Sequence, residues 1–172
     1  MNQPKYNSFR ALRADMKAKH PLSDARRAEL DAAAIELLKL HGVEQPPAPI
    51  EDVLRHPVAD LWEPNLRDLS QQSFDTRERY SSRPTIARLV ARYVSNTAWA
   101  RQRGLVDDPG FTPDEVRYFG RALLMPRDWM LALNTNERDP ASVRIRFHVP
   151  LPDATERLSE LNLPSDESSL KV

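Results

Sequence analysis

The chain contains no cysteine. Disulfide staples, Cys-ligated zinc and thiol nucleophiles are therefore excluded, while the redox compartment stays open. Glycine is almost as scarce, with four in 172 residues. That is too few for a phosphate-cradling Gly-rich loop, and no Gly-x-Ser-x-Gly nucleophile elbow occurs. Neither sign of charge is in excess: 25 Lys plus Arg face 25 Asp plus Glu, split as 13 of each over residues 1–86 and 12 of each over 87–172. Such a balance disfavours generic attraction to nucleic acid or to an acidic membrane surface. No apolar run approaches the roughly 18 residues of a membrane span. Met1 to Lys19 is polar and basic without the apolar core of an export signal, so a soluble, cytoplasmic protein is expected.

Histidine is rare as well. His20, His41, His56 and His148 fall in four separate segments, no two at the i, i+4 spacing that aims two imidazoles from one helix face. His41, at the end of an apolar face, reads as a helix C-terminal cation or capping donor rather than a ligand. The carboxylate pairs Glu51-Asp52, Asp107-Asp108 and Asp114-Glu115 stand at helix starts, where acids complement the helix dipole. By spacing alone the chain offers no catalytic constellation.

Proline is abundant, with 15 residues, and the ratio to glycine predicts many short helices started and stopped by Pro rather than by left-handed glycine caps. Phe9, Leu12 and Met16 predict a first helix over 8–19. Ser23 caps a better one that presents Leu30, Ala34, Leu37, Leu38 and His41 and ends at Gly42. Gln45 to Pro49 is a stiff connector to a short helix with Ile50, Val53 and Leu54. Val58, Leu61, Trp62 and Leu66 read as a strand region, and 67–82 as loop or irregular strands. Arg83 to Arg103 is expected to be one long helix carrying five Arg and no acid. Thr112-Pro113-Asp114-Glu115 is a capping box that opens a helix bounded by Pro126, and short helices follow through Leu133, from Asp139 to Phe147 and from Pro152 to Leu161.

The segment Tyr118-Phe119-Gly120-Arg121-Ala122-Leu123-Leu124-Met125-Pro126 resembles the A-N-x-F-A-x-x-L-L-M-P signature of the ImmA/IrrE family of zinc metallopeptidases, regulatory bacterial enzymes that act on helix-turn-helix repressors. Leu37 to Val43, Pro49 to Leu54, Ile145 to Pro150 and Arg157-Leu158 resemble the family's flanking elements in the same order, so the likeness covers about residues 28–161. It implies a mainly α (α+β) fold, a helical zincin-like domain with a small, irregular β-sheet over 23–163. An N-terminal helical extension over 1–22 and a disordered tail over 164–172 would flank it. The family's catalytic helix reads R-F-T-x-A-H-E-x-x-H, against Arg83-Pro84-Thr85-Ile86-Ala87-Arg88-Leu89-Val90-Ala91-Arg92 in this chain. Arg88 and Arg92 stand where the zinc histidines belong, Leu89 replaces the general-base Glu, and Pro113 falls at the third ligand. Arginine has no lone pair to give a metal at any working pH, and Leu moves no proton.

The resemblance thus implies a catalytically inactive, metallopeptidase-like regulatory protein without zinc, binding a protein partner such as a helix-turn-helix repressor. Arg88 and Arg92 are expected to reach Asp114 or Glu115, an ion pair replacing the metal as cross-link between two helices. A second reading keeps a zinc-dependent endopeptidase with His56 or His148 beside Asp114 or Glu115 as non-standard ligands. A third, disfavoured by the charge balance, has the Arg83–Arg103 helix bind nucleic acid through Arg83, Arg101 and Arg103.

Overall fold

The computed structural model describes residues 22–58, 61–63, 80–107 and 109–163. These form eight α-helices: α1 (Asp24–Leu40), α2 (Ile50–Arg55), α3 (Arg83–Ser95), α4 (Ala98–Gln102), α5 (Pro113–Leu124), α6 (Arg127–Leu131), α7 (Pro140–Phe147) and α8 (Leu151–Glu160), with a 3-10 turn over Thr135–Glu137. The small β-sheet implied by the family resemblance is a point of correction, because no strand occurs among the described residues. The expected strand at Val58 to Trp62 fails for a local reason. Leu61 N–H donates to the Val58 carbonyl rather than to a neighbouring strand, and Trp62 tucks its indole N–H onto the Leu54 carbonyl at 3.2 Å. Leu66, the helix expected over 8–19 and the tail over 164–172 lie outside the described residues.

Helix starts follow the sequence. Ser23 accepts from Arg26 N–H at 3.2 Å, Thr112 and Glu115 close their capping box, and Asp139 accepts from the amides of Ala141 and Ser142. Proline occupies the first turn of α3, α5, α7 and α8, where its missing N–H is no loss. Left-handed residues terminate four helices: Gly42 and Gly104 stand where the sequence places a stop, whereas His148 and Asn162 do so against the general expectation that prolines stop the helices. Gly42 (φ 68°), Gly104 (φ 64°), His148 (φ 55°) and Asn162 (φ 51°) each let the following amide reach back to a carbonyl five residues earlier: Val43 to Leu38, Leu105 to Ala100, Val149 to Arg144, Leu163 to Leu158. The single helix expected over 83–103 is two. Thr97 leaves helical geometry (φ −84°, ψ 154°) and its hydroxyl accepts from Ala100 N–H at 3.1 Å, so it stops α3 and caps α4.

α5 is the centre of the packing. It lies against α3 and α1 and touches α8, while α2 packs on α3 and α7 on α8. Phe119, Leu123, Leu124 and Met125 are fully buried there, together with Leu30, Leu37 and Leu38 of α1 and Phe147 of α7. Between α1, α5 and α8 the core is not apolar. Arg157 is 0% exposed and Asp31 4%. The Arg157 Nη2 donates to Asp31 Oδ1 at 2.6 Å and its Nε to the Met125 carbonyl at 3.0 Å. Tyr118 donates its hydroxyl to Asp31 Oδ2 at 2.9 Å, and the Arg157 guanidinium stands 5.2 Å from the Tyr118 ring centroid. Burial, with the adjacent Asp31 carboxylate, pushes the Tyr118 phenol up to about 12 despite the opposing pull of Arg157. Glu160 completes the cluster, receiving both Arg157 and Arg121.

Removing one member of a buried pair strands the other in a medium that cannot solvate it. Arg157→Met is expected to cost about 3–5 kcal/mol by urea denaturation. Adding Asp31→Leu to that variant should recover part of the loss, and strict additivity of the two substitutions would show that the pair is not coupled.

Candidate functional site

The degenerate metal-site positions lie on α3 and in the first turn of α5, two helices that cross at Gly120. The helices approach so closely at Gly120 that a Cβ there would meet the backbone N and Cγ of Arg88 at 3.2 Å and the Ala87 carbonyl carbon at 3.4 Å. Glycine suits this proximity, since a Cβ would be tighter than ordinary van der Waals contact and the neighbouring backbone would have to give by a few tenths of an ångström. The stem of Arg88 therefore lies in the seam between the helices. Its guanidinium runs toward the N-terminus of α3, as helical side chains lean, and donates to Thr85 Oγ1 at 3.1 Å. Arg92 is exposed one turn further along, whereas Leu89, 9% exposed, belongs to the core. Pro113 is exposed in the first turn of α5.

The replacement ion pair expected from sequence is not formed: neither Arg88 nor Arg92 pairs with Asp114 or Glu115. Glu115 is fully engaged by others. Its Oε2 accepts from the Thr112 amide at 2.7 Å as the third residue of the capping box, and its Oε1 accepts from Arg26 Nε of α1 at 2.6 Å. Asp114 turns along its own helix to Arg117, three residues on. Sequence reasoning missed Arg26, the cation that claims Glu115. It sits one turn into a strongly capped helix and reads there as a solvated charge. Burial opposes ionisation of Glu115, yet Thr112 and Arg26 outweigh it and hold the carboxyl below the usual range.

The histidines stay apart. His41 Nδ1 lies 2.8 Å from the Leu37 carbonyl and its Nε2 accepts from Val58 N–H at 3.3 Å, so both ring nitrogens are engaged within the fold. His56 ends α2. His148, at φ 55°, stacks on Tyr80 with centroids 4.7 Å apart and planes 7° from parallel. His20 lies outside the described residues. Among the described residues no three His, Asp or Glu side chains gather as a cation site, so His56 or His148 is not assembled with Asp114 or Glu115 into one.

Nor does the arginine stripe expected over 83–103 extend along one exposed face. Arg83 is clamped by the Glu51 carboxylate, at 3.0 and 3.2 Å, and by the Ala48 carbonyl. Arg103 pairs with Glu36 and lies 4.2 Å over the Trp99 ring. Elsewhere, a cleft of about 400 Å³ opens between α1 and α6 over Ala28, Ala32 and Ile35, with Lys39 and Arg127 at its rim. No helix among the described residues is long and apolar enough to cross a membrane. Compared with protein-family models, curated proteins and solved structures, the chain matches none.

At the Gly120 crossing, a β-branched residue must push the helices apart. Gly120→Val is expected to lower stability by about 1–3 kcal/mol. Gly120→Ala should stay within about 1 kcal/mol of wild type, its helix-propensity gain offsetting the tight contact. Equal melting temperatures for Gly120→Val and wild type would refute the close approach.

The depressed carboxyl of Glu115 dictates a pH dependence. Its contribution is complete above the unfolded value of about 4.3 and is lost as pH falls through the lower folded value. Glu36 and Asp139, also held low, act with the same sign. Urea midpoints measured from pH 7 down to pH 3 should fall in acid, and Glu115→Gln should start lower and fall less steeply.

Proposed function

We propose that this chain is a non-catalytic, metallopeptidase-like regulatory module that works by binding a protein partner. The observation that carries the reading is the chemistry of α3 at its crossing with α5. Arg88, which meets Gly120, and Arg92, exposed one turn on, cannot ligate a metal, and the intervening Leu89 is packed into the core, where it supplies no base. The sequence around the crossing, Tyr118 to Pro126, is the part that resembles the ImmA/IrrE signature. On that likeness a helix-turn-helix repressor is the first partner to try, and a cytoplasmic location goes with it. The likeness is one of local sequence, and a helix pair of this kind hosts many functions.

Two competing readings have less to stand on. Zinc-dependent hydrolysis needs three protein ligands converging on one point with a fourth position open. Nucleic-acid binding through 83–103 loses Arg83 and Arg103 to internal ion pairs.

The test is metal analysis of the purified, untagged chain followed by zinc titration under thermal denaturation. Binding of zinc with a dissociation constant a hundredfold below its concentration adds about 2.7 kcal/mol, a shift of several degrees. The expected result is no bound metal and no shift. Stoichiometric zinc, or cleavage of a casein substrate abolished by chelator, would overturn the reading.

A further inference from the structure

Thr85, Arg88 and Arg92 stand at i, i+3 and i+7 of α3 and share one face. The helix itself, RPTIARLVARYVS, contains no acid. Of the acids on the helices packed against it, Glu51 is held by Arg83, Asp114 by Arg117 and Glu115 by Arg26, while Asp52 is exposed on α2. Arg88 is half-buried in the Gly120 seam, yet its polar contact is a neutral hydroxyl. A guanidinium drawn partly out of water without a counter-charge has lost hydration that one hydroxyl only partly restores. Arg88 in the seam and the exposed Arg92 one helical turn on thus pair with no acid among the described residues.

We propose that Thr85, Arg88 and Arg92 form a carboxylate-binding stripe that docks an acidic segment of a protein partner. Each guanidinium offers a planar fork that matches a carboxylate with two parallel N–H donors, and Thr85 holds the Arg88 fork in place. Residues on a bound strand or helix turn bring two acidic side chains to a comparable spacing. Nucleic acid fits less well. Two cations neutralise two phosphates, against the six to ten contacts of typical DNA-binding proteins, and zero net charge supplies no steering field. The proposal names the partner chemistry of the protein-binding reading above and rests on it.

Fluorescence anisotropy of the full chain with labelled decaglutamate, decaglutamine and oligothymidylate tests it. Decaglutamate is expected to bind, decaglutamine not, and binding is expected to weaken with salt. The pair Arg88→Gln and Arg92→Gln should reduce decaglutamate affinity about tenfold, the equivalent of roughly 1.4 kcal/mol. Arg88→Lys with Arg92→Lys should retain part of it. Should the double variant fold poorly, Arg92→Gln alone, at an exposed position, should still show a several-fold loss. Undiminished binding by the Gln variants, tighter binding of oligothymidylate, or no binding of decaglutamate would each overturn the stripe. A zinc-free, inactive chain that ignores decaglutamate loses this inference and keeps the protein-binding reading, whereas zinc uptake removes that reading first.

Discussion

A buried ion pair, Arg157 to Asp31, fixes how the described helices stand to one another. The two residues are far apart in the chain, on α8 and α1, and the space between them is closed by Tyr118 and the Met125 carbonyl of the α5 end. A purely apolar contact is tolerant of sliding. A guanidinium that must satisfy a carboxylate and a carbonyl at once is not, because a small shift leaves a buried charge short of a partner. The cluster therefore acts as a registration point for α1, α5 and α8, and the tight α3–α5 crossing at Gly120 falls on the stretch of α5 that Tyr118 and Met125 pin.

Charge on this chain is distributed as helix-to-helix fastening. Arg26 of α1 holds Glu115 of α5, Arg83 of α3 holds Glu51 of α2, Arg103 beyond α4 holds Glu36 of α1, and Arg121 of α5 holds Glu160 of α8. Arginine suits the task because its fork can meet a carboxylate and a carbonyl together, as Arg83 and Arg26 both do. The balanced composition has a structural reading here: opposite charges are matched across helix pairs as well as on the surface. Arg88 and Arg92 fall outside that pattern, as do Arg27 of α1 and Arg144 of α7, for none of the four pairs with an acid among the described residues.

Local signals were legible in the sequence and long-range ones were not. Ser23, the Thr112–Glu115 capping box, Asp139 and the first-turn prolines announce helix starts through chemistry that completes itself within four residues. The break at Thr97 was hidden, because Trp99 and Ala100 continue the apolar period of α3 and a threonine in such a pattern reads as helical until its hydroxyl is seen to cap the next turn. Asp31 was invisible for a related reason. An acid inside an amphipathic helix reads as solvent-facing, and only the arrival of Arg157 from α8 makes its burial tolerable.

The failed metal-replacing bridge follows from the same distinction. Placing two arginines on one helix and two acids on another specifies opposite charges near each other, but says nothing about which third group is closer. Glu115 had a local claim from its own capping box and a tertiary claim from Arg26, and the two together fill its oxygens. Asp114 had a neighbour on its own helix, three residues away, which no loop closure is needed to reach. Arg88, its stem fixed beneath Gly120, is left to bond a threonine of its own helix, with its charge unanswered by any acid of the described chain. What distinguishes the crossing of α3 and α5 is therefore a charge held in place by a backbone contact rather than by a partner, an arrangement better suited to receiving an anion than to holding two helices together.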